Sequence, residues 1–438
     1  MILRKGRLTG KKLKNISRFT SSIKQDYPLA GYDIKQSIAH AKALQKAGFI
    51  SAREKKEIIN GLKKIKSSID GNSRYFIETG NYEDIHMAVE EKLGELGKKL
   101  HAGRSRNDQV ACDMRMYVRD AVDNLIELLE EAIDSLKDRD ENQEGGEVLM
   151  PAFTHLQHAQ AVNLSTYLDV FIQWFKRDIQ RLKDLRKRVN ILPLGSAAGA
   201  STNIKLDLEF IARELGFDKI ASNSMDAVSC RDYIIEFAGA LSVLGVHFSR
   251  MAEDFIIYSS SEFSYIEFDQ SIADTSSIMP QKKNPDVLEL IRGSSARLIA
   301  VAGEMAVLMK GLPLTYNRDM QNDKEIIRAA VLGIEMAGII PVILNNIEFN
   351  EANMAREART GFTDAADLAE YLVLNGVEFR KAHEKVGKLV NNGIEKGYSG
   401  LSEFTFEEMV EIVPEVKKDV FNFIDVENSV SRRLKNEK

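Results

Sequence analysis

The stretch ACDMRMYVRDAVDNLIELLEEAIDSL, residues 111–136, repeats apolar side chains every three or four positions. This spacing predicts one long amphipathic α-helix, because residues at that period fall on a single helical face. Acidic and basic side chains occupy the opposite face. At 1.5 Å per residue, a helix of this length extends roughly 40 Å. One such helix cannot bury its apolar face alone, so partners of similar length are expected.

Four further segments have the same periodicity, at about residues 161–189, 231–259, 285–310 and 324–346. Alternating apolar and polar residues, the pattern of a half-buried strand, are scarce. Long helices in succession with modest connections predict an all-α protein built around a long-helix bundle.

Shorter helical segments lie on both sides of the bundle segments, which suggests more than one domain. The expected division is an N-terminal helical domain at residues 1–103, a central helical bundle domain at 104–355 and a C-terminal helical domain at 356–438.

The composition of the 438 residues is that of an ordinary globular protein, with 44% hydrophobic and 29% charged residues. A net charge of −5 argues against nucleic acid as a partner. No stretch reaches the ~18 consecutive apolar residues of a membrane span, so no membrane partner is expected. Two cysteines without a Cys/His cluster predict neither a disulfide framework nor structural zinc, and they fit a reduced, cytoplasmic setting.

The first 25 residues contain basic side chains and no acidic ones. This composition is typical of an organellar presequence or of an arm that binds polyanions. No apolar segment of a secretory signal follows it.

The run SSIMPQKKNPD, residues 276–286, changes from uncharged to cationic just before a predicted helix. Asn284 is a favoured cap and Pro285 suits the first helical position. Adjacent lysines beside the positive end of a helix dipole form an anion site. The alternative is a surface loop with two solvated lysines, but serine, proline, lysine pair and cap occurring together favour function.

Three other segments carry polar groups suited to binding or catalysis. HAGRSRNDQ (101–109) places Arg106 and Asn107 ahead of the first long helix, where they suit carboxylate recognition or a cap with exposed salt bridges. MPAFTHLQHAQ (150–160) places Thr154 and His155 at a predicted helix entry, as a general acid or base or as a cap beside a structural histidine.

LTYNRDMQNDKE, residues 314–325, places Gln321 and Lys324 one helical turn apart on one face, with Tyr316 before them. Alone, it also fits a salt-bridged helix start. Taken together, the segments supply cations, amides, hydroxyls and one histidine, without a cysteine nucleophile or a metal-ligand set. This inventory suits a small polyanionic substrate and proton transfer, with no metal and no cofactor.

These motifs resemble those of the argininosuccinate lyase branch of the fumarase/aspartase superfamily. SSIMPQKKNPD is similar to the signature of the superfamily, and its QKKNPD ending to that branch. GRSRNDQV, MPAFTHLQHAQ and GLPLTYNRDMQNDKE are similarly typical of argininosuccinate lyases. The similarity extends to residues 19–44, 81–101 and 223–237, so it covers nearly the whole chain in order.

The resemblance implies reversible β-elimination of argininosuccinate to arginine and fumarate, in arginine biosynthesis. It also implies a homotetramer with a twenty-helix core, in which three subunits contribute to each active site. In that family the segment matching Ser22 and Asp26 belongs to the active site, so we expect the basic N-terminal region to be retained.

Roles follow from the resemblance, position by position. Ser276 is expected to be the base that takes the proton, and His155 the acid for the departing guanidine, tuned by Glu289. The reverse assignment of Ser276 and His155 is the traditional one, and the sequence does not choose between them. Lys282 and Asn284 are expected to stabilise the carbanion. Substrate binding is expected from Ser22, Asp26, Arg106, Asn107, Thr154, Tyr316, Gln321 and Lys324.

Three positions depart from the family pattern, with Thr275 for glycine, Ala102 for threonine and Cys230 for aspartate. None removes a proposed catalytic group. The competing interpretations are another fumarate-releasing lyase, of adenylosuccinate lyase or aspartase type, and a structural homologue of the lens-crystallin kind.

Overall fold

A computed structural model of the chain describes residues 12–72, 74–80, 82–141 and 148–436. The described residues are predominantly helical, which confirms the all-α prediction. Most of the basic N-terminal run, at residues 1–11, lies outside them. The first helices are α1 (Lys14–Phe19), α2 (Ile23–Asp26), α3 (Ala30–Lys46), α4 (Ala52–Gly71), α5 (Tyr75–Thr79), α6 (Ile85–Leu93) and α7 (Glu95–Leu100).

The long helices and the short ones between them follow. They are α8 (Arg106–Glu141), α9 (Leu164–Val189), α10 (Leu208–Leu215), α11 (Ser224–Ser229), α12 (Asp232–Tyr258), α13 (Asp286–Met309) and α14 (Glu325–Asn345). The last helices are α15 (Glu351–Glu357), α16 (Ala365–Leu374), α17 (Phe379–Lys396), α18 (Phe406–Ile412), α19 (Val420–Ile424) and α20 (Val426–Asn436). Short 3₁₀ helices span Tyr27–Leu29, Gln270–Ile272, Arg318–Lys324 and Leu401–Glu403.

Short strands pair two by two among the described residues. They are β1 (Leu149–Thr154), β2 (Gln157–Asn163), β3 (Ile191–Leu192), β4 (Lys219–Ile220), β5 (Ile266–Phe268), β6 (Asp274–Thr275), β7 (Lys283–Asn284) and β8 (Ile347–Phe349). The pairs β1–β2, β5–β8 and β6–β7 are antiparallel, and β3–β4 is parallel.

The five long helices predicted from the sequence are present, with one correction. The second begins at Leu164 rather than near residue 161, because residues 157–163 form strand β2. Ala161 pairs with Pro151 across the hairpin, and the Leu164 N–H donates to the Val148 carbonyl at 2.8 Å. Backbone hydrogen bonds to β1 therefore replace the helical turn that the periodicity suggested.

The chain divides into two compact units. The first takes its described residues from Met1–Leu129, Lys176–Phe248 and Gly293–Gly338, and the second from Glu130–Phe175, Ser249–Arg292 and Ile339–Lys438. The three-domain division expected from the sequence stays a prediction.

In the first unit, a glycine allows α12 to approach α13 closely. A Cβ added at Gly245 would lie 3.0 Å from the Leu298 Cβ and 3.2 Å from the Ser295 carbonyl oxygen. The absence of a side chain at Gly245 thus sets the spacing of these helices.

In the second unit, the helices after α15 form their own apolar core. Leu372, Leu389 and Met409 are fully buried there. A smaller cluster joins the hairpin to this end of the chain, because Leu149 and Ala161 pack with Val430 of α20. The hairpin is therefore fixed to the C-terminal helices.

Two helical stretches, Asp232–Tyr258 and Arg318–Asn345, are long and apolar enough to cross a membrane by length and composition alone. Neither stretch contains the ~18 consecutive apolar residues that the sequence expectation concerned, because polar or charged side chains interrupt both. In Asp232–Tyr258, Phe237 and Leu241 are fully buried inside the first unit. A helix that is buried on several faces carries apolar side chains around its whole circumference, which explains the high hydropathy of Asp232–Tyr258.

Candidate active site

The loop between β6 and β7 carries the proposed base. Asp274 pairs with Asn284 and Thr275 with Lys283, so a two-residue ladder closes the loop at its base. Within it, the Ser276 Oγ accepts the backbone N–H of Ile278 at 3.3 Å and that of Met279 at 3.1 Å. Hydrogen bonds to the oxygen favour its anionic form over its neutral one. The loop thus holds a half-buried hydroxyl oxygen among donors.

The end of this loop reaches α13 one residue later than expected. Asn284 lies in β7 and is not the cap, because the Pro285 carbonyl accepts the Glu289 N–H at 3.1 Å. The backbone pairing with Asp274 holds Asn284 extended. Lys282 is exposed in the loop, whereas the Lys283 ammonium lies 3.3 Å from Glu267. The two lysines therefore have different surroundings, and Glu289 is exposed in the first turn of α13.

His155 lies at the tip of a β-hairpin, and the expectation of a helix entry is wrong. Thr154 ends β1, and His155 and Leu156 form the two-residue turn with φ values of 54° and 57°. A turn with positive φ at both central residues matches the twist of paired strands and normally uses glycine or asparagine. Such strain costs about 1–3 kcal/mol per residue and tends to persist at functional positions.

The hairpin is held by the segment that follows α15. The His158 Nδ1 donates to the Thr360 carbonyl at 3.2 Å, and its ring meets Phe153 edge-on at 5.2 Å between centroids. Gly361 has a φ of 73°, and a Cβ there would lie only 2.8 Å from the His158 Nδ1. Thr360, which precedes Gly361, is 202 residues from His158 in sequence. The position of the hairpin thus depends on a glycine that is distant in sequence.

In the first unit, Ser22 and Asp26 form a buried pair. The Ser22 Oγ donates to the Asp26 Oδ2 at 2.5 Å, and the Ser22 N–H donates to the Glu83 carbonyl at 2.8 Å. Burial raises the pKa of Asp26, although Lys324 and His86 nearby oppose that rise. The Asp26 Oδ1 is buried without a hydrogen-bond partner in the described part of the chain.

Lys324 is buried beside an ion pair. Its Nζ donates to the Asp323 Oδ1 at 2.6 Å, while the Arg231 Nε donates to the Asp323 Oδ2 at 2.6 Å. Burial alone would raise the pKa of Asp323, but Lys324 and Arg231 outweigh it and lower the pKa. Asp323 is therefore a carboxylate that holds two cations, one of which also acts on Asp26. Tyr316 is half-buried, and burial raises its pKa while the charge of Lys324 opposes that rise. Gln321 is half-buried in the 3₁₀ helix.

Arg106 begins α8 among acidic side chains. Its Nε lies 3.5 Å from the Asp84 Oδ2, and its Nη2 lies 3.8 Å from the Glu90 Oε2. The Asn107 N–H donates to the Ser105 Oγ at 3.3 Å. Arg106 and Asn107 are half-buried, so both retain exposed surface for a ligand.

A fully buried polar cluster lies near Arg106. The His86 Nδ1 is 2.9 Å from the Asp33 Oδ1 and 3.5 Å from the Asp113 Oδ2, and ligand atoms of the three residues lie within 4.8 Å of one another. Gln109 donates to Asp33, and Gln36 donates to Asp113. Burial and the charge of Asp33 raise the pKa of Asp113. This spacing would fit a metal ion, but amide N–H groups already occupy the Oδ1 atoms, as in a hydrogen-bonded network.

His40, close to this cluster, should make stability pH-dependent. Burial and Arg104 lower its pKa to about 3, and its Nε2 donates to the Ala102 carbonyl at 2.9 Å. The unfolded chain binds this proton near pH 6.5 and the folded chain does not, so stability is full above pH 6.5 and falls as the pH drops. From pH 7.5 to pH 5.0 we expect a loss of about 2 kcal/mol attributable to His40.

Chemical denaturation of wild type and His40→Gln at both pH values measures this loss. His40→Gln keeps a donor for Ala102 and should show a correspondingly smaller pH dependence. His383→Gln, at an exposed histidine, should behave like wild type. Equal pH dependence in wild type and His40→Gln would contradict the assignment.

The site residues expected from the sequence fall into two groups. The first unit brings Ser22, Asp26, Arg106, Tyr316 and Lys324 into one charged neighbourhood. The second holds Thr154, His155, Ser276, Lys282, Asn284 and Glu289. No hydrogen bond or ion pair joins His155 to Ser276 or Lys282 in the part of the chain that the structure describes.

Sequence reasoning missed several supporting residues. Asp323 pairs with both Lys324 and Arg231, and Asp33, His86 and Asp113 form a buried cluster near Arg106. Arg231 lies in the segment CRD and Asp323 in the segment NDK, but nothing in the linear sequence shows that the two segments meet. The local signals for the cluster were the helical spacings of Asp33 and Gln36 by three residues and of Gln109 and Asp113 by four.

Comparison with known proteins agrees with this fold. A family model described as "Lyase" matches residues 6–300, and one described as "Argininosuccinate lyase C-terminal" matches residues 362–431. A solved EDDS lyase variant with bound fumarate shares 26% identity with a TM-score of 0.76, covering 97% of this chain and 86% of its own. The class II fumarase from Schistosoma mansoni has a TM-score of 0.78 at 14% identity, covering 95% and 93%, which shows the shared fold.

An all-α chain with this match over residues 6–300 is a lyase. The argininosuccinate lyase of Pelotomaculum thermopropionicum is 45% identical over 95% of this chain and 91% of its own length. That of Caldanaerobacter subterraneus subsp. tengcongensis is 43% identical over 96% and 95%. The chain belongs to the argininosuccinate lyase family.

Proposed function

We propose that the protein catalyses the reversible β-elimination of argininosuccinate to arginine and fumarate, in arginine biosynthesis in the cytoplasm. The observation that carries this proposal is 45% identity to an argininosuccinate lyase over 95% of the chain. The two cysteines, Cys112 buried and Cys230 half-buried, are free, in agreement with a reducing compartment.

The substrate presents carboxylates and a guanidinium, and the first unit offers groups of both signs. Lys324 and Arg106 are suited to carboxylates, and Ser22, Asn107, Tyr316 and Gln321 add hydrogen-bond donors. Asp26, whose Oδ1 is buried without a partner among the described residues, is suited to the guanidinium. Thr154, at the end of β1, adds a hydroxyl beside the hairpin tip.

The difficult step is removal of a proton from the carbon next to a carboxylate. The carbanion is tolerable only if preorganised donors stabilise the resulting doubly charged aci-carboxylate. Lys282, Asn284 and the loop N–H groups near the start of α13 supply such a field. The exposed Lys282 is suited to this role because no ion pair engages it among the described residues.

Ser276 takes the proton in our proposal, and His155 protonates the departing guanidine nitrogen. The two N–H groups that the Ser276 Oγ accepts support an anionic oxygen there, which is what a serine base requires. In this proposal, Glu289 from another subunit tunes His155. The reverse assignment makes His155 the proton acceptor and Ser276 the donor.

A substrate panel tests the proposal. Purified protein is mixed with argininosuccinate, adenylosuccinate or aspartate, and fumarate is followed by its ultraviolet absorbance. We expect fumarate from argininosuccinate only. Release from adenylosuccinate or aspartate instead would indicate another branch of the superfamily, and no release from any of them would favour a structural role.

We also propose a homotetramer in which the long helices of four subunits form a twenty-helix core. Apolar side chains remain exposed on the long helices, among them Leu290 at 70%, Val307 at 72% and Val342 at 48%. Exposed apolar side chains on long helices are typical of surfaces that another subunit covers. Light scattering should give four times the chain mass of 49.2 kDa.

Gly361→Ala should slow catalysis through the hairpin. The new Cβ would displace the His158 ring and with it the strand that leads to His155. Small misplacements of a catalytic group are costly, so we expect kcat for fumarate release to fall about tenfold with a smaller change in KM. Steady-state kinetics of the purified variant measures both.

Gly397→Ala is the matched control, because Gly397 has a φ of 77° but no described residue has an atom within 4 Å of a Cβ added there. Both variants carry the backbone strain of about 1–2 kcal/mol that alanine meets at positive φ. Only Gly361→Ala should lose kcat. Equal kcat in the two variants would show that His158 does not position the hairpin.

A further inference from the structure

One exposed arginine joins two segments far apart in sequence. Arg318 begins the 3₁₀ helix that ends at Lys324. Its Nη2 donates to the Thr20 carbonyl at 2.6 Å and to the Glu83 Oε1 at 2.6 Å. The sequence separations are 298 and 235 residues. One nitrogen therefore bridges two segments to a third.

Each of these segments leads to a proposed substrate contact. Thr20 comes two residues before Ser22, whose N–H donates to the Glu83 carbonyl at 2.8 Å. The Ser21 Oγ also donates to that carbonyl, at 2.9 Å. Arg318 thus binds both the Ser22 segment, through Thr20, and the segment at Glu83 to which the Ser22 segment is hydrogen-bonded.

The other ends of the bridge are also binding groups. Arg318 lies two residues after Tyr316 and opens the helix that carries Gln321 and Lys324. Glu83 is followed by Asp84, whose Oδ2 lies 3.5 Å from the Arg106 Nε. The Arg318 guanidinium therefore joins the Ser22 segment to the Tyr316–Lys324 segment, and the Arg106 segment contacts the residue next to its partner Glu83.

The simplest alternative is a solvated ion pair with a minor effect on stability. The Arg318 and Glu83 side chains are 45% and 24% exposed, and such pairs contribute little to folding. That alternative does not account for the second bond of the same nitrogen, to a backbone carbonyl in another segment. Planar guanidinium groups are suited to holding two acceptors at once.

We propose that Arg318 is a positioning residue for substrate binding. It keeps Ser22 and Asp26 in register with Tyr316 and Lys324, so that one substrate can contact both. The inference rests on the proposed lyase function. It predicts that loss of the bridge weakens substrate binding more than it slows the chemical step.

Arg318→Met, Arg318→Lys and Glu83→Gln test the proposal. We expect Arg318→Met to raise KM for argininosuccinate about 10- to 100-fold with kcat within about threefold, since misplaced binding groups weaken binding first. Arg318→Lys keeps a cation with several donors and should recover part of the affinity. Glu83→Gln removes one acceptor charge without changing shape and should give a smaller rise in KM.

Arg53→Met is the matched control. Arg53 pairs with Glu57 on α4 through a similar ion pair and is 88% exposed. It should leave KM unchanged, and its thermal midpoint should match that of Arg318→Met. A KM for Arg318→Met equal to wild type, or a fall in kcat alone, would overturn the proposal.

Hydrogen exchange gives a second test that needs no activity. The Ser22 amide donates to Glu83, so exchange of residues 20–26 should accelerate in Arg318→Met and not in Arg53→Met. Unchanged exchange would overturn the bridge even if the wild type is inactive. An inactive wild type with accelerated exchange in Arg318→Met would instead remove the proposed function and leave the bridge.

Discussion

Ser276→Ala should lower kcat for fumarate release at least ~10²-fold, the usual scale for loss of a general base. The substitution removes the oxygen that accepts the Ile278 and Met279 N–H groups, and with it the proposed proton acceptor. KM should change less, because Ser276 acts on the proton being transferred and the binding groups lie elsewhere. Stopped-time or continuous fumarate assays on the purified variant measure the loss.

Ser277→Ala is the control for Ser276→Ala. Ser277 is the next residue of the same loop and is exposed. Its hydroxyl has no assigned role, so kcat should stay close to wild type. If both serine variants lost activity equally, the effect would reflect the conformation of the loop and not proton transfer.

Lys282→Met should be the second large loss, about 10²- to 10³-fold in kcat, the scale seen when one preorganised charge-stabilising donor is removed. The reason is that the ammonium stabilises the dianionic carbanion, which exists only on the way to products. Methionine keeps the length and apolar stem of the side chain and removes the charge. Fumarate release at saturating argininosuccinate measures the effect.

Lys283→Met tests whether this effect belongs to one lysine. Lys283 pairs with Glu267 at 3.3 Å at the base of the loop. Because such a partly exposed ion pair contributes little to holding the loop, Lys283→Met should lower kcat by at most about fivefold. Comparable losses in the two variants would argue for a general electrostatic role of the lysine pair.

The long helices were predictable because burial of one helical face imposes a three-to-four-residue period over many turns. The start of α9 was not, since residues 161–163 fit the same period and yet pair with β1. The local spacing of apolar residues does not show that a strand ten residues upstream is available to pair with this segment. Helix ends therefore needed the structure.

The hairpin at His155 shows a second limit. His155 and Leu156 are not the asparagine–glycine or aspartate–glycine pair that marks a two-residue hairpin turn, so the sequence did not predict a tight turn here. The turn is stabilised by contacts outside the hairpin, namely the hydrogen bond of His158 to Thr360 and the close packing of His158 against Gly361. Long-range packing of this kind cannot be read from the eleven residues of the motif.

The residue types of the site were predictable, but their supporting contacts were not. Lys324 was expected at the site, whereas its attachment to Asp323 and Arg231 depends on the meeting of distant segments. The same holds for Arg318, which lies inside a recognised motif and whose partners are 298 and 235 residues away. Local motifs therefore predict which residue types the site contains, but they do not predict the contacts that those residues make with distant segments.

The central claim is that the loop serine removes a proton to give a stabilised carbanion before the carbon–nitrogen bond breaks. Argininosuccinate incubated with each variant in D₂O and then recovered reports this directly by mass spectrometry. His155→Asn, which lacks the proposed acid, should return substrate carrying deuterium beside the carboxylate, while Ser276→Ala returns it unlabelled. Deuterium in substrate recovered from Ser276→Ala, and none from His155→Asn, would contradict the account.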